Sequence, residues 1–161
     1  MNIISKKKIQ CFANNLVFSF RVFATALISI IFTTIFAGVA VNADIITDRK
    51  AGFKKNAASM KIMAAALSKA DYDAIINEAK SISAWAQKIP SQFPEGSDIG
   101  ETKARAEIWF DFDDFETHAK SNQTAAEELI TAVKSRDQSA IMAGLKNLGS
   151  SCKACHMNYK D

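Results

Sequence analysis

The chain has 161 residues, of which 48% are hydrophobic and 23% are charged, and it holds two prolines and six glycines. This length and composition are typical of one globular domain, and they exclude a disordered chain or a small disulfide-stapled one. Lys and Arg outnumber Asp and Glu by 20 to 17, for a formal net charge of +3. Whether that excess serves a binding surface depends on where the charges lie.

The first 43 residues have the pattern of a secretory signal peptide. Basic residues open the segment, and an uncharged apolar run from Val22 to Val41 follows. The sequence Val41-Asn42-Ala43 then places small residues at the two positions that a signal peptidase reads. We predict cleavage after Ala43, which leaves residues 44–161 as the functional domain. The alternative is a retained anchor, because about twenty apolar residues can just span a bilayer.

Cleavage would also remove the positive charge. Four of the basic residues and none of the acidic ones precede Ala43, which leaves 16 basic against 17 acidic residues and a net charge of −1. We therefore expect no nucleic-acid partner and, after signal cleavage, no membrane contact. Cys11 leaves with the segment, so the exported domain, expected in the periplasm, keeps only Cys152 and Cys155 in an oxidising compartment.

Residues 44–161 divide into four predicted helices with apolar side chains at three- and four-residue steps. The first runs from about Asp48 to Leu67, and the second from an N-cap at Asp71 to Pro90. The third runs from about Ala104 to about Val133, and the fourth follows Asp137. The apolar stripe of the first helix consists of Phe53, Ala57, Met60, Ala64 and Leu67.

The connections predict how these helices are arranged. The turns at 69–71 and 135–137 are short, so each joins two antiparallel neighbours, and a longer loop from Pro90 to Gly100 crosses the middle. The predicted fold class is therefore an all-α antiparallel four-helix bundle. Small residues on the stripes, namely Gly52, Ala57, Ala64 and Gly144, would leave room between helices for something large and flat.

The chemistry lies in Cys152-Lys153-Ala154-Cys155-His156, near the end of the fourth helix. Positions i, i+3 and i+4 share one helical face, so two thioether sulfurs and an axial histidine can meet one porphyrin. This predicts one covalently attached haem c per chain, with His156 as the iron ligand. A redox Cys-x-x-Cys pair normally begins a helix after a strand, and no strand is predicted. A structural zinc site needs four ligands, and the exported domain adds only the distant His118.

The sequence resembles the cytochrome c′ family over residues 44–161. The similarity rests on four motifs: Ile46-x-x-Arg49; Ala70-Asp71-Tyr72-Asp73; Glu101-Thr102-Lys103 before Ile108-Trp109 and Phe115; and Cys152-Lys153-Ala154-Cys155-His156-x-x-Tyr159-Lys160. Class I cytochromes c instead carry the haem motif near the mature N-terminus and a methionine ligand far downstream. Only five residues follow His156 here, which excludes that arrangement.

The resemblance implies a role for several further residues. Arg49 would lie near a haem propionate, and Glu101 and Thr102 would border the haem edge. Lys50 stands where relatives commonly have glutamine. Lys160 would lie beside the proximal face. Phe53 would point at the distal face of the iron, where low-spin relatives have methionine.

Phenylalanine has no lone pair to donate, so the resemblance implies a five-coordinate, high-spin haem open to small diatomic gases, chiefly nitric oxide and carbon monoxide. The expected function is scavenging or sensing of nitric oxide, and the alternative is single-electron transfer with periplasmic redox partner proteins. No enzyme is implied, because peroxidase-like catalysis lacks a distal base and His118 is expected to face solvent. Relatives often pair through their first helices, so a homodimer is expected.

Overall fold

The computed structural model describes residues 44–161, and the predicted signal peptide lies outside the described residues, so its cleavage stays a prediction. Helix α1 spans 44–68 of the described chain, α2 spans Tyr72–Ala86, α3 Glu107–Phe110, α4 Phe112–Ser135 and α5 Gln138–Tyr159. A short 3-10 helix, Pro90–Gln92, lies between α2 and α3. Over this range the only bridge between extended residues is Ala104 with Lys160. None of the described helices is long and apolar enough to cross a membrane.

Aspartate side chains begin the long helices. Asp71 accepts a hydrogen bond from the Ala74 N–H (3.0 Å), which confirms the predicted N-cap of α2. Asp137 accepts from the N–H groups of Ser139 and Ala140 (2.8 and 3.2 Å) and caps α5 in the same way. These side chains satisfy amide donors that a helix start leaves unpaired, which is why the boundaries follow the sequence so closely.

The predicted third helix is wrong in its first part. The chain is not helical from Ala104 onward; α3 forms only at Glu107 and ends after one turn. Asp111 then leaves the helical region (φ −134°, ψ 66°), and its carboxylate accepts from the Asp114 N–H (3.3 Å) as the N-cap of α4. A competing N-cap thus breaks a segment whose apolar spacing looked continuous.

The apolar stripe predicted for α1 is also partly wrong. Ala57 and Ala64 are exposed, whereas Ser59, Met63 and Ala66 are buried. Polar residues cause the shift, because Arg49 and Ser59 lie on the inner face. Ser59 Oγ donates to Glu78 of α2 (2.6 Å). An interior that accepts hydrogen-bonded polar side chains cannot be located from hydrophobic periodicity alone.

Two cores lie along the described bundle. The aliphatic core, near the two tight turns, is built from Met63, Ala66, Ile75, Ala79, Ile82, Ala125, Ala126, Leu129, Val133, Ile141 and Leu148. The aromatic core, toward the other end, is built from Ala86, Ile89, Phe93, Ile108, Phe115, Ala119 and Tyr159. Phe53, Trp85, Trp109 and Cys155 pack against the aromatic core. Helix α4 packs against both α2 and α5 and so joins the two cores.

Candidate haem-binding site

A cleft of about 630 Å³ opens beside the aromatic core, between the start of α1, the loop after α2 and the last turns of α5. Its volume lies in the range typical of cofactor and ligand sites. The lining residues are Arg49, Lys50, Phe53, Lys54, Ala57, Phe93, Glu101, Thr102, Lys103, Ala104, Ile108, Phe115, Cys155, His156, Tyr159 and Lys160.

The structure brings the site residues predicted from sequence to this one cleft, with Cys152 as the exception. The cleft residues among them are Arg49, Lys50, Phe53, Glu101, Thr102, Cys155, His156 and Lys160. Cys152 lies one turn earlier on α5, where its Sγ accepts a weak hydrogen bond from Asn122 of α4 (3.4 Å). The two thiols are free and half-buried, and they lie on neighbouring turns of the helix that forms the cleft wall.

The segment before α3 holds the last turn of α5 in place. The Arg105 N–H donates to Tyr159 O (3.1 Å) and the Asp161 N–H to Lys103 O (3.0 Å), on either side of the Ala104–Lys160 bridge. The Tyr159 ring is buried in the aromatic core, and its hydroxyl donates to Asp114 of α4 (2.5 Å). These contacts fix the orientation of the turn that carries Cys155 and His156.

Burial changes the acid–base properties of the motif. Burial raises the pKa of Cys152, and it raises the pKa of Cys155 to about 11, with further increases from the charges of Cys152 and Asp114. A redox-active Cys-x-x-Cys pair needs a lowered thiol pKa, so the structure argues against that alternative. Burial, helped by the charge of Lys160, lowers the pKa of His156 and favours the neutral imidazole that binds metals. Residues 44–161 contain no cluster of three or more His, Cys, Asp or Glu side chains suited to a metal ion.

Aromatic rings form the apolar wall of the cleft. The Phe53 ring meets the His156 ring edge to face, with centroids 6.3 Å apart. Phe53 also contacts Trp85 (5.8 Å) and Phe93 (6.3 Å), and Phe93 contacts Phe115 (4.9 Å). Edge-to-face contacts are a preferred aromatic geometry, so these rings form a well-packed apolar wall.

Arg49 is a buried cation at the rim, with only 2% of its surface exposed. Its guanidinium donates to Ser97 Oγ and O (3.0 and 2.7 Å) and to Thr102 Oγ1 (2.7 Å), and it lies 4.5 Å from the centre of the Phe93 ring. Burial lowers the pKa of Arg49, and the charge of Asp98 partly opposes that shift. No carboxylate within residues 44–161 forms an ion pair with this guanidinium.

This set of residues fits a haem. Cys155 and His156 lie on one wall, Cys152 lies one turn earlier on the same helix, and the rest of the inner lining is largely aromatic and aliphatic. The rim carries exposed lysines at positions 50, 54, 103 and 160, together with Arg49, which lacks a carboxylate partner in the described chain. A flat apolar macrocycle bearing two carboxylates matches both features.

Some site residues were not identified from sequence. Phe93 lies in an irregular loop with no periodicity, Lys54 was given no role, and Lys103 was named only as part of a family motif. The prediction that His118 faces solvent is wrong. Its side chain is 22% exposed, with Nε2 3.4 Å from Asp114 Oδ2, and its ring packs against Tyr159. Gly52 does not leave room for a cofactor, because the Trp85 indole occupies that space.

Comparison with known proteins identifies the family. The family model described as cytochrome C′ matches residues 44–160. A cytochrome c′ of Rhodospirillum rubrum is 44% identical over 85 residues, which are 52% of this chain and only 58% of that relative. A cytochrome c-556 of Agrobacterium fabrum is 33% identical over 136 residues, covering 82% of this chain and 91% of the relative.

A solved structure supports the same assignment. Cytochrome c prime from Shewanella frigidimarina is 36% identical, with a TM-score of 0.68 over 74% of this chain and 96% of the other. The all-α four-helix bundle predicted from sequence is confirmed. Proteins of this family are non-enzymatic haem proteins that carry one covalent haem c per chain, and Cys152 and Cys155 fit the attachment motif. The chain therefore belongs to the cytochrome c′ family.

Proposed function

We propose that this protein is a periplasmic cytochrome that binds small diatomic gases, chiefly nitric oxide and carbon monoxide, and serves to scavenge or sense nitric oxide. Cys152 and Cys155 would hold the haem, and His156 would be its axial ligand. When bound, the haem supplies an iron that can take up a diatomic gas or exchange one electron. The observation that carries the proposal is the contact between the rings of Phe53 and His156 in the cleft wall.

Phe53 cannot coordinate a metal, and no methionine among the described residues lines the cleft. Met63 is fully buried in the aliphatic core, and Met60 packs against that core. Met142 is exposed on α5. The side chains that would have to reach the iron in a six-coordinate electron carrier are thus held elsewhere, which supports an open sixth position capped by the Phe53 ring.

The remaining proposed contacts follow from position in the cleft. Arg49, buried without a carboxylate partner in the described chain, would pair with a propionate, and Glu101 and Thr102 would border the haem edge. Lys50 donates to Glu101 O (3.1 Å) and so holds that stretch of loop against α1. Lys160 follows the last turn of α5 and would lie beside the proximal face.

Titration of the ferrous protein with carbon monoxide and nitric oxide tests this function. Replacing Phe53 by alanine removes the ring and should raise carbon monoxide affinity about tenfold, equivalent to about 1.4 kcal/mol of relieved crowding. Phe110→Ala is the matched control, because Phe110 is 85% exposed and does not line the cleft. Unchanged affinity in Phe53→Ala would remove Phe53 from the gas-binding face.

Single-electron transfer is the second candidate, and the lysine rim favours it. Exposed Lys50, Lys54, Lys103 and Lys160 surround the cleft although the exported chain is close to neutral. Such a local concentration of positive charge would steer an acidic redox partner protein toward the haem edge. Slow electron exchange beside tight nitric oxide binding would favour gas binding. Fast exchange that slows with added salt would favour electron transfer.

Export of the protein, with removal of residues 1–43, is also part of the proposal. Intact-mass measurement of the exported protein should give a chain that begins at Asp44, whereas a chain retaining 1–43 would indicate the anchor.

We also propose a homodimer through α1, whose outer face exposes Ile62 and small residues. Sedimentation should give twice the chain mass, and Ile62→Lys should reduce it to the mass of one chain.

A further inference from the structure

Two polar atoms in the bundle interior have no hydrogen-bond partner among residues 44–161. They are Oδ1 of Asn56 on α1 and Nε1 of Trp85 on α2. One is an acceptor and the other a donor. Buried polar groups in native proteins are almost always paired, either with protein atoms or with ordered water. Two complementary unpaired atoms near one another therefore indicate a small polar guest.

The packing of Gly52 places the two groups near each other. A Cβ atom at Gly52 would lie 2.5 Å from Trp85 Cε2, the ring atom bonded to Nε1. Asn56 is one helical turn after Gly52, and side chains on a helix lean toward its N-terminus, over the preceding turn. The Asn56 amide thus extends toward the turn against which the indole lies.

The same pair adjoins Phe53. The Phe53 ring contacts the indole edge to face at 5.8 Å, and Asn56 follows Phe53 by three positions on the same side of α1. Neither Asn56 nor Trp85 lines the haem cleft. The pair therefore adjoins Phe53 without lining the cleft.

The chain contains one other tryptophan, which serves as an internal comparison. Trp109 Nε1 donates to the backbone oxygens of Phe93 (3.1 Å) and Pro94 (3.0 Å). An indole N–H of this protein is thus paired where the surrounding backbone offers an acceptor. Trp85 Nε1 has no such partner in the described chain, where the other buried side-chain polar atom without a partner is Asn56 Oδ1.

We propose that Asn56 and Trp85 form a buried site for one water molecule beside Phe53. The water accepts a hydrogen bond from Trp85 Nε1–H and donates one to Asn56 Oδ1, which meets the two-partner minimum for a buried water. Ile82 and Ala86, which flank Trp85 on α2, are fully buried, so the site lies inside the bundle. The water molecule would thus lie beside the Phe53 ring, for which the sequence alone predicted only an apolar role.

This water site rests on the proposed function only for its link to gas binding, because its two polar groups are present whatever Phe53 faces. The test uses the holoprotein in its ferrous, carbon monoxide-bound form, which is diamagnetic. Nuclear Overhauser contacts with water are measured at the two indole N–H protons, assigned through Trp85→Phe and Trp109→Phe. We expect a contact with a long-lived water at Trp85 and none at Trp109.

Asn56→Leu, which keeps the side-chain volume and removes the acceptor, should reduce the Trp85 water contact at least tenfold. Absence of a water contact at Trp85 in the parent protein would overturn the proposal, as would a crystal structure with a direct hydrogen bond between Asn56 and Trp85. The carbon monoxide affinity of Phe53→Ala is a separate readout. Failure of the water site therefore leaves the gas-binding proposal to be judged on its own.

Discussion

The aliphatic and aromatic cores belong to one bundle but are packed differently. In the aliphatic core, branched side chains such as Ile75, Leu129 and Leu148 are fully buried and fill the space between helices. In the aromatic core, rings meet edge to face, as in Phe93–Phe115 (4.9 Å) and Phe115–Tyr159 (5.3 Å), and a cleft of about 630 Å³ remains beside them. The comparison indicates that the first core is complete without a cofactor, whereas the second is shaped to receive one.

Removal of the haem should have the largest effect, and it should destabilise the aromatic core while the aliphatic core stays protected. Cys152→Ser combined with Cys155→Ser abolishes covalent attachment, so the cleft loses the group that its rings and lysines surround. Amide hydrogen exchange should accelerate about a thousandfold over 93–108, equivalent to about 4 kcal/mol of local stability, while 75–82 and 141–148 keep their protection. Equal acceleration in both cores would contradict their independence.

Truncation in the aliphatic core should have the opposite pattern. Leu148→Ala opens a cavity at a fully buried position and should lower the free energy of unfolding by about 3 kcal/mol without changing the haem spectrum. Denaturant unfolding monitored by circular dichroism measures the loss. Met142→Ala on the same helix is the control, because Met142 is 58% exposed and should cost less than about 0.5 kcal/mol. A shifted haem spectrum in Leu148→Ala would show that the cores are coupled.

Substitution of Arg49 tests which contacts stabilise the rim of the cleft. Lysine keeps the charge but cannot reproduce the fork that donates to Ser97 and Thr102, so Arg49→Lys should lower the free energy of unfolding by about 2 kcal/mol. Exchange over 97–102 should quicken at the same time. Lys50→Ala, a change at the exposed neighbour, should have less than about 0.5 kcal/mol of effect. A similar loss in both variants would refute the special role of the buried guanidinium.

Replacement of Tyr159 should have the smallest effect on the free energy of unfolding, and that effect should depend on pH. Burial and the hydrogen bond to Asp114 raise the pKa of Tyr159 above its ordinary value of about 10. The phenol is therefore protonated in the folded protein at pH values where it ionises in the unfolded chain. Its contribution is fully present below pH 10 and should be lost progressively as the pH rises above 10.

Tyr159→Phe should cost about 1 kcal/mol at neutral pH, through loss of the hydrogen bond. Above pH 10 its free energy of unfolding should fall less steeply than that of the parent protein. Denaturant melts between pH 8 and pH 11.5 measure both slopes. Tyr72→Phe is the control for loss of a phenol hydroxyl elsewhere, on α2, and parallel curves for Tyr159→Phe and the parent would contradict the raised pKa of Tyr159.

The residues of the aliphatic core were easier to predict from the sequence than those of the aromatic core. The second predicted helix carries Ile75, Ala79, Ile82 and Ala86 at three- and four-residue steps, and all four are buried in α2. The N-cap at Asp71 and the start of the fourth helix after Asp137 were predicted from the short acceptor side chain that precedes each apolar run. In these places local propensity and tertiary packing agree.

The aromatic end was less predictable because long-range contacts decide it. The Asp111 cap overrides the apolar spacing of the third segment, and the buried Arg49 and Ser59 turn α1 away from its expected face. Phe93 is held by ring contacts and by the Arg49 cation, which no local pattern reveals. The Cys-x-x-Cys-His motif located this end of the bundle, but not the loop or the indole that shape it.

The central claim is that the cleft holds a haem whose sixth position faces Phe53 and is unligated. The electronic and resonance Raman spectra of the ferric holoprotein test it most directly. We predict a five-coordinate, high-spin spectrum, because Phe53 cannot coordinate a metal and no methionine of the described residues lines the cleft. A low-spin spectrum with a methionine-to-iron charge-transfer band would contradict the claim and would implicate Met60, Met63 or Met142.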